Sequence, residues 1–177
     1  MRIKPGELAP AIAAEDAHGR PFDLAALRGR RVMLSFYRYA SCPICNLRMH
    51  ELILAHQRLA ERGLDLVAVF QSPEASIAEY VGRQEAPFPI LADPSMNLYR
   101  RYGVEAAWWG FMSWRILGRA LAAMRRGFLP GRIDGPFHRT PADFLIDADG
   151  KVALAHYGRD IDDHLPLPLI ERWLEAN

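Results

Sequence analysis

The stretch RVMLSFYRYASCPIC, residues 31–45, decides the fold. Its first part, Arg31–Phe36, is a short and mostly apolar run of the kind that forms a buried strand. A helical spacing of apolar residues follows over Leu47–Arg62, and a glycine ends it. The two cysteines, Cys42 and Cys45, therefore lie where a strand leads into a helix.

The chain on either side of this stretch alternates strands with helices and closes with a hairpin and a last helix. Further strands are predicted over Leu64–Phe70, Phe88–Ala92, Ala142–Asp147 and Val152–Tyr157. Further helices are predicted from Ser72 to about Gln84, over Pro94–Tyr102, and from about Pro166 to Ala176. This order predicts an α/β fold in which a mixed central sheet with an antiparallel edge is flanked by helices. With no repeat, low-complexity tract or linker, we expect a single domain over residues 1–177.

Composition and charge exclude several classes of function. The formal net charge is +1, so the chain carries no electrostatic footprint for nucleic acid. No apolar run reaches the length of a membrane-spanning helix, and the first residues lack the apolar core of a signal peptide. We therefore expect a cytoplasmic protein with neither nucleic acid nor a membrane as partner. In the cytoplasm, two cysteines within one tetrapeptide are more often catalytic or metal-binding than structural.

The spacing of the cysteine pair suits thiol–disulfide chemistry. Backbone N–H groups at a helix start are unpaired and the helix dipole favours negative charge, so a thiol there loses its proton more readily. Two intervening residues allow the second sulfur to reach the first across one helical turn. A Cys42–Cys45 disulfide can therefore form and open with little backbone movement. Pro43 suits the first turn of the helix.

Two other interpretations of the cysteine pair stay open at this point. The cysteines are inert core residues in one of them, since buried free cysteine is common. In the other they bind zinc, although structural zinc sites use four ligands and no second cysteine pair occurs. His50 and His56 lie on the following helix at positions typical of a surface helix and do not require a metal. We expect no metal and no cofactor.

One segment around the cysteines resembles a known family. Phe36-Tyr37, with Cys45 nine residues after Phe36, resembles the strand-to-helix segment of the peroxiredoxins, the alkyl hydroperoxide reductase/thiol-specific antioxidant (AhpC/TSA) family. In that family a threonine or serine stands three residues before the peroxidatic cysteine. The resemblance gives Cys45 the peroxidatic position and Cys42 the threonine position, so that a CxxC replaces the usual TxxC.

Two residues depart from this family pattern: Arg38 and Asn46 stand where the family has proline. The resemblance covers most of the chain from Gly6 to Trp173 and implies a thioredoxin-like fold. It does not cover residues 106–135 or so, which we interpret as a helical insertion.

The tetrapeptide CPIC, residues 42–45, is itself similar to thioredoxin and the thioredoxin-like reductases. Thr140-Pro141 also matches that branch, in which a cis-proline faces the cysteine pair. In the thioredoxin interpretation Cys42 attacks and Cys45 resolves the mixed disulfide. In the peroxiredoxin interpretation Cys45 attacks the peroxide and becomes a sulfenic acid, with which Cys42 condenses. Both end in the same disulfide, and the order of attack stays open.

Several residues are candidates for supporting roles. Arg139 is expected near the sulfurs, where a guanidinium would stabilise a thiolate and polarise a peroxide oxygen; the alternative is one exposed arginine in an arginine-rich chain. Gly158 is expected to permit a close backbone approach near the dithiol, and Arg159 is a second candidate charge. Arg38 and Tyr39 flank the pair and are expected to shape substrate access, or, for Tyr39, to pack in the core.

The insertion at about 106–135 combines tryptophan and arginine, with a helix predicted from Ala106 to Gly127 and a Gly/Pro loop after it. An apolar stripe is formed by Trp108, Trp109, Met112, Ile116, Leu117, Leu121 and Met124. A cationic side is formed by Arg115, Arg119, Arg125 and Arg126. Three interpretations stay open: a helix packed on the domain with a solvated basic face, a surface for homo-oligomerisation or a lid, and a membrane-surface helix.

Together these patterns predict a redox-active dithiol protein with antioxidant activity that reduces hydroperoxides through Cys42 and Cys45. The alternative is a thioredoxin-like oxidoreductase that acts on protein disulfides. A metal-carrying module and a non-catalytic scaffold are the remaining hypotheses. The expected partners are a hydroperoxide or disulfide substrate and a thiol donor such as thioredoxin or glutathione.

Overall fold

The structure, a computed structural model, describes residues 1–104 and 114–176. Its strands are β1 (Ala13–Glu15), β2 (Pro21–Asp23), β3 (Arg31–Phe36), β4 (Leu64–Phe70), β5 (Ile90–Ala92), β6 (Ala142–Ile146) and β7 (Val152–Tyr157). Its helices are α1 (Pro43–Glu61), α2 (Glu74–Glu79), α3 (Asn97–Arg101), α4 (Trp114–Arg125) and α5 (Leu167–Ala176).

The centre of the fold is a five-stranded sheet with the strand order β5-β4-β3-β6-β7. β3, β4 and β5 run parallel, whereas β6 pairs antiparallel with both β3 and β7. The predicted mixed sheet with helices around it is confirmed. The strands β1 and β2 form a separate hairpin of three residues each, too short to give an alternating pattern in the sequence.

The central strand β3 contributes to two hydrophobic cores because successive side chains of a strand point to opposite faces of the sheet. On one face Met33 packs with residues of α1 and α5, including Leu52 and Ile170. On the other face Leu34 packs with residues that include Tyr99 of α3. A strand buried on both faces reads as a continuous apolar run, which is why β3 could be recognised from sequence.

Helix α3 begins at Asn97, three residues later than predicted from Pro94. The carboxylate of Asp93 accepts hydrogen bonds from the N–H groups of Asn97 (2.9 Å) and Leu98 (2.7 Å). These bonds satisfy backbone donors that a helix leaves unpaired at its start, so they fix where the helix begins.

The helix predicted from Ser72 to about Gln84 is interrupted. Helix α2 ends at Glu79, and a separate 3₁₀ turn follows at Gly82–Gln84. A glycine in a helix interior is unfavourable by about 1 kcal/mol relative to alanine, which weakens the continuation.

The peptide bond between Thr140 and Pro141 is trans, so the cis-proline implied by the thioredoxin resemblance is wrong for this chain. A trans X–Pro bond is the more stable isomer by roughly 0.5–1 kcal/mol unless tertiary structure demands the other. The trans segment meets the end of β7, where the N–H of Gly158 donates to the carbonyl oxygen of Pro141 at 2.9 Å.

The predicted helix of the insertion is observed over Trp114–Arg125, while Trp108, Trp109 and Met112 lie outside the described residues. The predicted apolar stripe divides: Ile116 packs against the core, whereas Leu117, Leu121 and Met124 are exposed. Leu117, for example, is 64% exposed.

Arg119, on the predicted basic face of α4, is not the solvated side chain that was expected. Arg119 is an inward-facing residue that forms ion pairs with Glu51 (2.6 Å) and Asp162 (2.9 Å). Ala120 and Ala123 lie on the same side of α4 and have small side chains, which lets the helix approach α1 closely. That the insertion mediates self-association stays a prediction.

In the described part of the chain, no helix combines the length and the apolar character needed to cross a lipid bilayer.

Substitution of Gly158 tests the close approach between β7 and the segment before β6. A Cβ atom there would lie 2.7 Å from Asp163 O and 2.9 Å from Pro141 O, both backbone atoms that cannot move aside cheaply. Gly158→Ala should lower the free energy of unfolding by about 1–3 kcal/mol. Gly118→Ala is the matched control: its Cβ meets nothing within 4 Å inside α4, so it should stabilise by up to about 1 kcal/mol. Urea unfolding measures both, and equal effects of the two changes would contradict the contact.

Candidate active site

The start of α1 positions the first cysteine. Cys42 is the N-cap residue of α1, and its Sγ accepts the backbone N–H of Cys45 at 3.5 Å. Pro43 occupies the first turn, where a missing N–H removes no helical hydrogen bond. The sulfur of Cys42 therefore lies at the end of the helix that favours negative charge.

A buried arginine contacts the same sulfur. Nη1 of Arg38 lies 3.6 Å from Sγ of Cys42, and the arginine is only 2% exposed. Its guanidinium contacts two neighbouring aromatic rings, with Cζ 4.9 Å from the ring centre of Tyr39 and 5.1 Å from that of Phe137. Its Nη2 donates to the carbonyl oxygen of Phe137 at 2.6 Å. Arg38 is thereby held against Cys42 by its neighbours.

The electrostatics of the site distinguish the two thiols. Burial alone would raise the pKa of Cys42, but the hydrogen bond from the Cys45 thiol, the charge of Arg38 and the backbone N–H groups of α1 lower that pKa to about 7. Burial raises the pKa of Cys45, and its hydrogen bond to Cys42 and the negative charge there raise it further, against the opposing effect of Arg38. Cys42 is therefore the readily ionised thiol and Cys45 the protonated one.

A segment that we call the strap, residues 127–139, covers the dithiol. Both cysteines are only 1% exposed. The strap is fixed to the loops around them by hydrogen bonds: Ser41 Oγ to Arg132 O, Ser72 Oγ to Asp134 Oδ1, Gln71 Nε2 to Pro136 O, and Arg38 Nη2 to Phe137 O. Access of any large molecule to the sulfurs requires the strap to move.

Asn46 braces the loop before α1, at a position where the peroxiredoxin family has proline. Its side-chain Nδ2 donates to the carbonyl oxygens of Ala40 (2.6 Å) and Cys42 (3.0 Å). Its backbone N–H donates to Cys42 O at 3.0 Å, a bond that proline would not be able to make. The departure from the family pattern therefore has a structural role here.

A buried polar pair, Asp143 and His164, lies beside Tyr37 and close enough to Arg48 of α1 to feel its charge. Asp143 of β6 is fully buried and accepts hydrogen bonds from His164 Nδ1 (3.1 Å) and the N–H of Leu165 (2.7 Å). Burial would raise the pKa of Asp143, but the charge and hydrogen bond of His164 and the charge of Arg48 lower it to about 2. The pair was not predicted, although a carboxylate inside the otherwise apolar run of β6 was a signal for it.

The other predicted residues are distributed around the site. Arg139 donates through Nη1 to Val104 O at 2.6 Å and lies over the Tyr99 ring, so the guanidinium in contact with Cys42 belongs to Arg38 instead. Arg159 is exposed, and its N–H donates to Asp163. Thr140, Pro141 and Gly158 lie together where β6 begins and β7 ends, with Thr140 buried.

Among the described residues, no group of three or more histidine, cysteine, aspartate or glutamate side chains is arranged to hold a metal ion. The arrangement at Cys42 and Cys45 is instead one of two sulfurs with different proton affinities, which suits a thiol–disulfide cycle.

The sequence of the chain matches that of a known protein family. Residues 5–155 match the family model described as the AhpC/TSA family. The chain belongs to the AhpC/TSA family. It is 27% identical over 164 residues to the putative peroxiredoxin Rv2521 of Mycobacterium tuberculosis, covering 93% of this chain and 91% of that protein. It is 26% identical over 150 residues to peroxiredoxin Bcp of Escherichia coli, covering 85% of this chain and 83% of Bcp.

The fold is shared with a solved structure. The crystal structure of the peroxidoxin BcpB from Mycobacterium tuberculosis superposes with a TM-score of 0.69 at 19% identity, covering 99% of this AhpC/TSA chain and 96% of BcpB. The family and the thioredoxin-like fold predicted from sequence are confirmed.

Removal of the Arg38 charge should raise the pKa of Cys42. In a Cys45→Ser background, which keeps a hydroxyl donor beside Cys42, Arg38→Met should move the midpoint of thiolate absorbance from about pH 7 toward ~8.5, the ordinary value of cysteine. Arg139→Met is the matched control, because Arg139 contacts Val104 and Tyr99, and it should leave the midpoint unchanged. A shift with Arg139→Met and none with Arg38→Met would contradict this assignment.

Proposed function

We propose that this AhpC/TSA protein is a thiol-dependent peroxidase with antioxidant activity, in which Cys42 attacks the hydroperoxide and Cys45 resolves the product. The observation that carries the proposal is the contact of the Cys42 sulfur with the Arg38 guanidinium and the N–H groups of α1. A thiolate is the reactive form of cysteine, and with a pKa of about 7 Cys42 is substantially ionised at neutral pH.

The first step is attack of the Cys42 thiolate on one oxygen of the hydroperoxide. The O–O bond breaks, Cys42 becomes a sulfenic acid, and the second oxygen leaves as an alkoxide, or as hydroxide from hydrogen peroxide. The protonated Cys45 thiol, which is hydrogen-bonded to Cys42, supplies the proton that turns this leaving group into an alcohol or water.

The second step closes the disulfide. The Cys45 thiolate attacks Sγ of Cys42 and forms the Cys42–Cys45 bond, and the hydroxyl of the sulfenic acid leaves as hydroxide, which takes a proton to become water. Two electrons have then passed from the dithiol to the peroxide. An external thiol donor must return them, and a cytoplasmic location would supply such donors.

This order of attack differs from the family register, which gives Cys45 the peroxidatic position. The N-cap place and the charge of Arg38 act on Cys42, whereas the environment of Cys45 raises its pKa. Arg38 has a further role in the proposal: a guanidinium beside the sulfur stabilises the negative charge that develops on the peroxide oxygen.

The cover over the site favours a peroxide over a protein disulfide as the substrate. Both sulfurs are 1% exposed beneath the strap, so a small hydroperoxide meets a lower barrier to access than a folded protein does. The alternative function, reduction of protein disulfides, needs the strap to be displaced at each turnover.

Serine substitutions test the two-cysteine cycle. With dithiothreitol as the reductant, Cys42→Ser should reduce peroxide consumption to the uncatalysed rate because it removes the attacking thiolate. Cys45→Ser should still react once with peroxide and leave a sulfenic acid on Cys42, which dimedone traps and mass spectrometry locates.

The opposite pattern, with the first turnover lost in Cys45→Ser and kept in Cys42→Ser, would assign the attack to Cys45. Slow peroxide reaction of the wild type beside rapid exchange with a protein disulfide would replace the peroxidase by a disulfide reductase. Circular dichroism of each variant controls for folding.

A further inference from the structure

A groove of about 340 Å³ lies beside the dithiol and is not used by the peroxide chemistry. One side is formed by Asn46, Tyr80, Arg83 and Gln84, and the other by the part of the strap over residues 127–131. Its volume falls at the lower end of the range of small-molecule sites, roughly 300–1,000 Å³.

The groove is adjacent to the reactive end of α1. Asn46 follows Cys45 directly and lies one helical turn from Cys42, about 6 Å along the helix. The strap that forms the opposite wall continues to Arg132, which bonds to Ser41, the residue before Cys42. A small molecule in the groove therefore lies near the reactive end of α1, although neither cysteine lines the groove, and its thiol reaches Cys42 when the strap moves.

The chemistry of the lining indicates a small anionic ligand. Arg83 is exposed, and it makes no ion pair within the described ranges of the chain. The lining contains no carboxylate, so nothing in it neutralises the guanidinium. Tyr80, Phe128 and Leu129 supply aromatic and apolar surface around this charge.

The amides of the groove indicate that the ligand carries N–H groups. Gln84 donates through Nε2 to both the carbonyl oxygen (3.2 Å) and the side-chain oxygen (3.0 Å) of Asn46, which fixes the orientation of its amide. Gln84 Oε1 is then left as a buried acceptor with no partner among the described residues, so a ligand donor reaches it only when the neighbouring strap moves. A peptide supplies a donor for such an acceptor, whereas the alkyl chain of an organic hydroperoxide does not.

We propose that this groove binds the reductant of the cycle, and that the reductant is a small anionic peptide thiol of the glutathione class. Arg83 binds a carboxylate of the peptide, and Gln84 Oε1 accepts a hydrogen bond from a backbone N–H of the peptide once the strap has moved. The inference rests on the proposed peroxidase function, since that function creates the need for a thiol donor. The closed strap favours a small thiol donor, because a tripeptide can reach the disulfide after a smaller displacement of the strap than a folded protein requires.

The reduction requires two peptide thiols. The thiolate of the first attacks Sγ of Cys42, forms a mixed disulfide and displaces Cys45 as a thiolate, which takes up a proton. The thiolate of the second attacks the sulfur of the bound peptide, breaks the mixed disulfide and releases Cys42 as a thiolate together with the peptide disulfide. Two electrons pass from the two peptide thiols to the enzyme disulfide.

Charge variants of Arg83 test this site by kinetics. With hydrogen peroxide as oxidant, the KM for glutathione should rise about fivefold in Arg83→Gln, the upper range for one exposed ion pair, and further in Arg83→Glu. Turnover with uncharged dithiothreitol should not change in either variant. Arg172→Gln is the matched control, because Arg172 is also exposed but lies on α5, outside the groove.

A binding measurement separates the site from the catalytic cycle. S-methylglutathione, which has no free thiol, should bind to the reduced wild type and to Arg172→Gln in a calorimetric titration, and bind weakly or not at all to Arg83→Glu. Equal binding by Arg83→Glu and the wild type, or no binding by the wild type, would overturn the inference. So would turnover supported by reduced thioredoxin but not by glutathione, and in that case the peroxidase function would stand. Loss of the peroxidase function alone would show as absent peroxide turnover with dithiothreitol.

Discussion

The contact between the Arg38 guanidinium and the Cys42 sulfur is the interaction on which the rest of the site depends. A buried thiol resists ionisation, because the protein interior disfavours the charged form. Here a buried cation, the N–H groups at the start of α1 and the thiol of Cys45 together outweigh burial and lower the pKa of Cys42 to about 7. The same arginine also bonds to Phe137 O, so one side chain both activates the sulfur and holds the strap over it.

The scaffold supports this contact from three sides. β3 is fixed in the middle of the sheet by pairing with β4 and β6, and it delivers the chain to the loop that carries Arg38. Asn46 ties that loop to α1, and Ser72 links it to the strap by accepting the N–H of Ala40 and donating to Asp134. A buried charge is tolerated only when such neighbours compensate its loss of hydration. The closed strap therefore stabilises the buried charge of Arg38 as well as limiting access to the sulfurs.

The sequence was sufficient where a local pattern determines the structure. The apolar run of β3, the CxxC and the helical spacing after it predicted the position of the dithiol, and the Ala148-Asp149-Gly150 turn predicted the β6–β7 hairpin. It was not sufficient where long-range packing decides. Whether Arg38 or Arg139 reaches Cys42 depends on how the strap crosses the loop before α1, and no spacing encodes that path. The faces of α4 were misjudged for the same reason, since small alanines and an ion-paired Arg119 meet α1 while larger apolar side chains stay exposed.

In the proposed cycle Cys42, not Cys45, is the thiolate of the reduced protein at neutral pH. The most direct measurement is substoichiometric alkylation of the reduced wild type with iodoacetamide at pH 7, followed by peptide mass spectrometry to locate the label. Because only the thiolate reacts, we expect the label on Cys42, with a rate of incorporation that rises with pH to a plateau above a midpoint of about 7. Label found predominantly on Cys45 would contradict it.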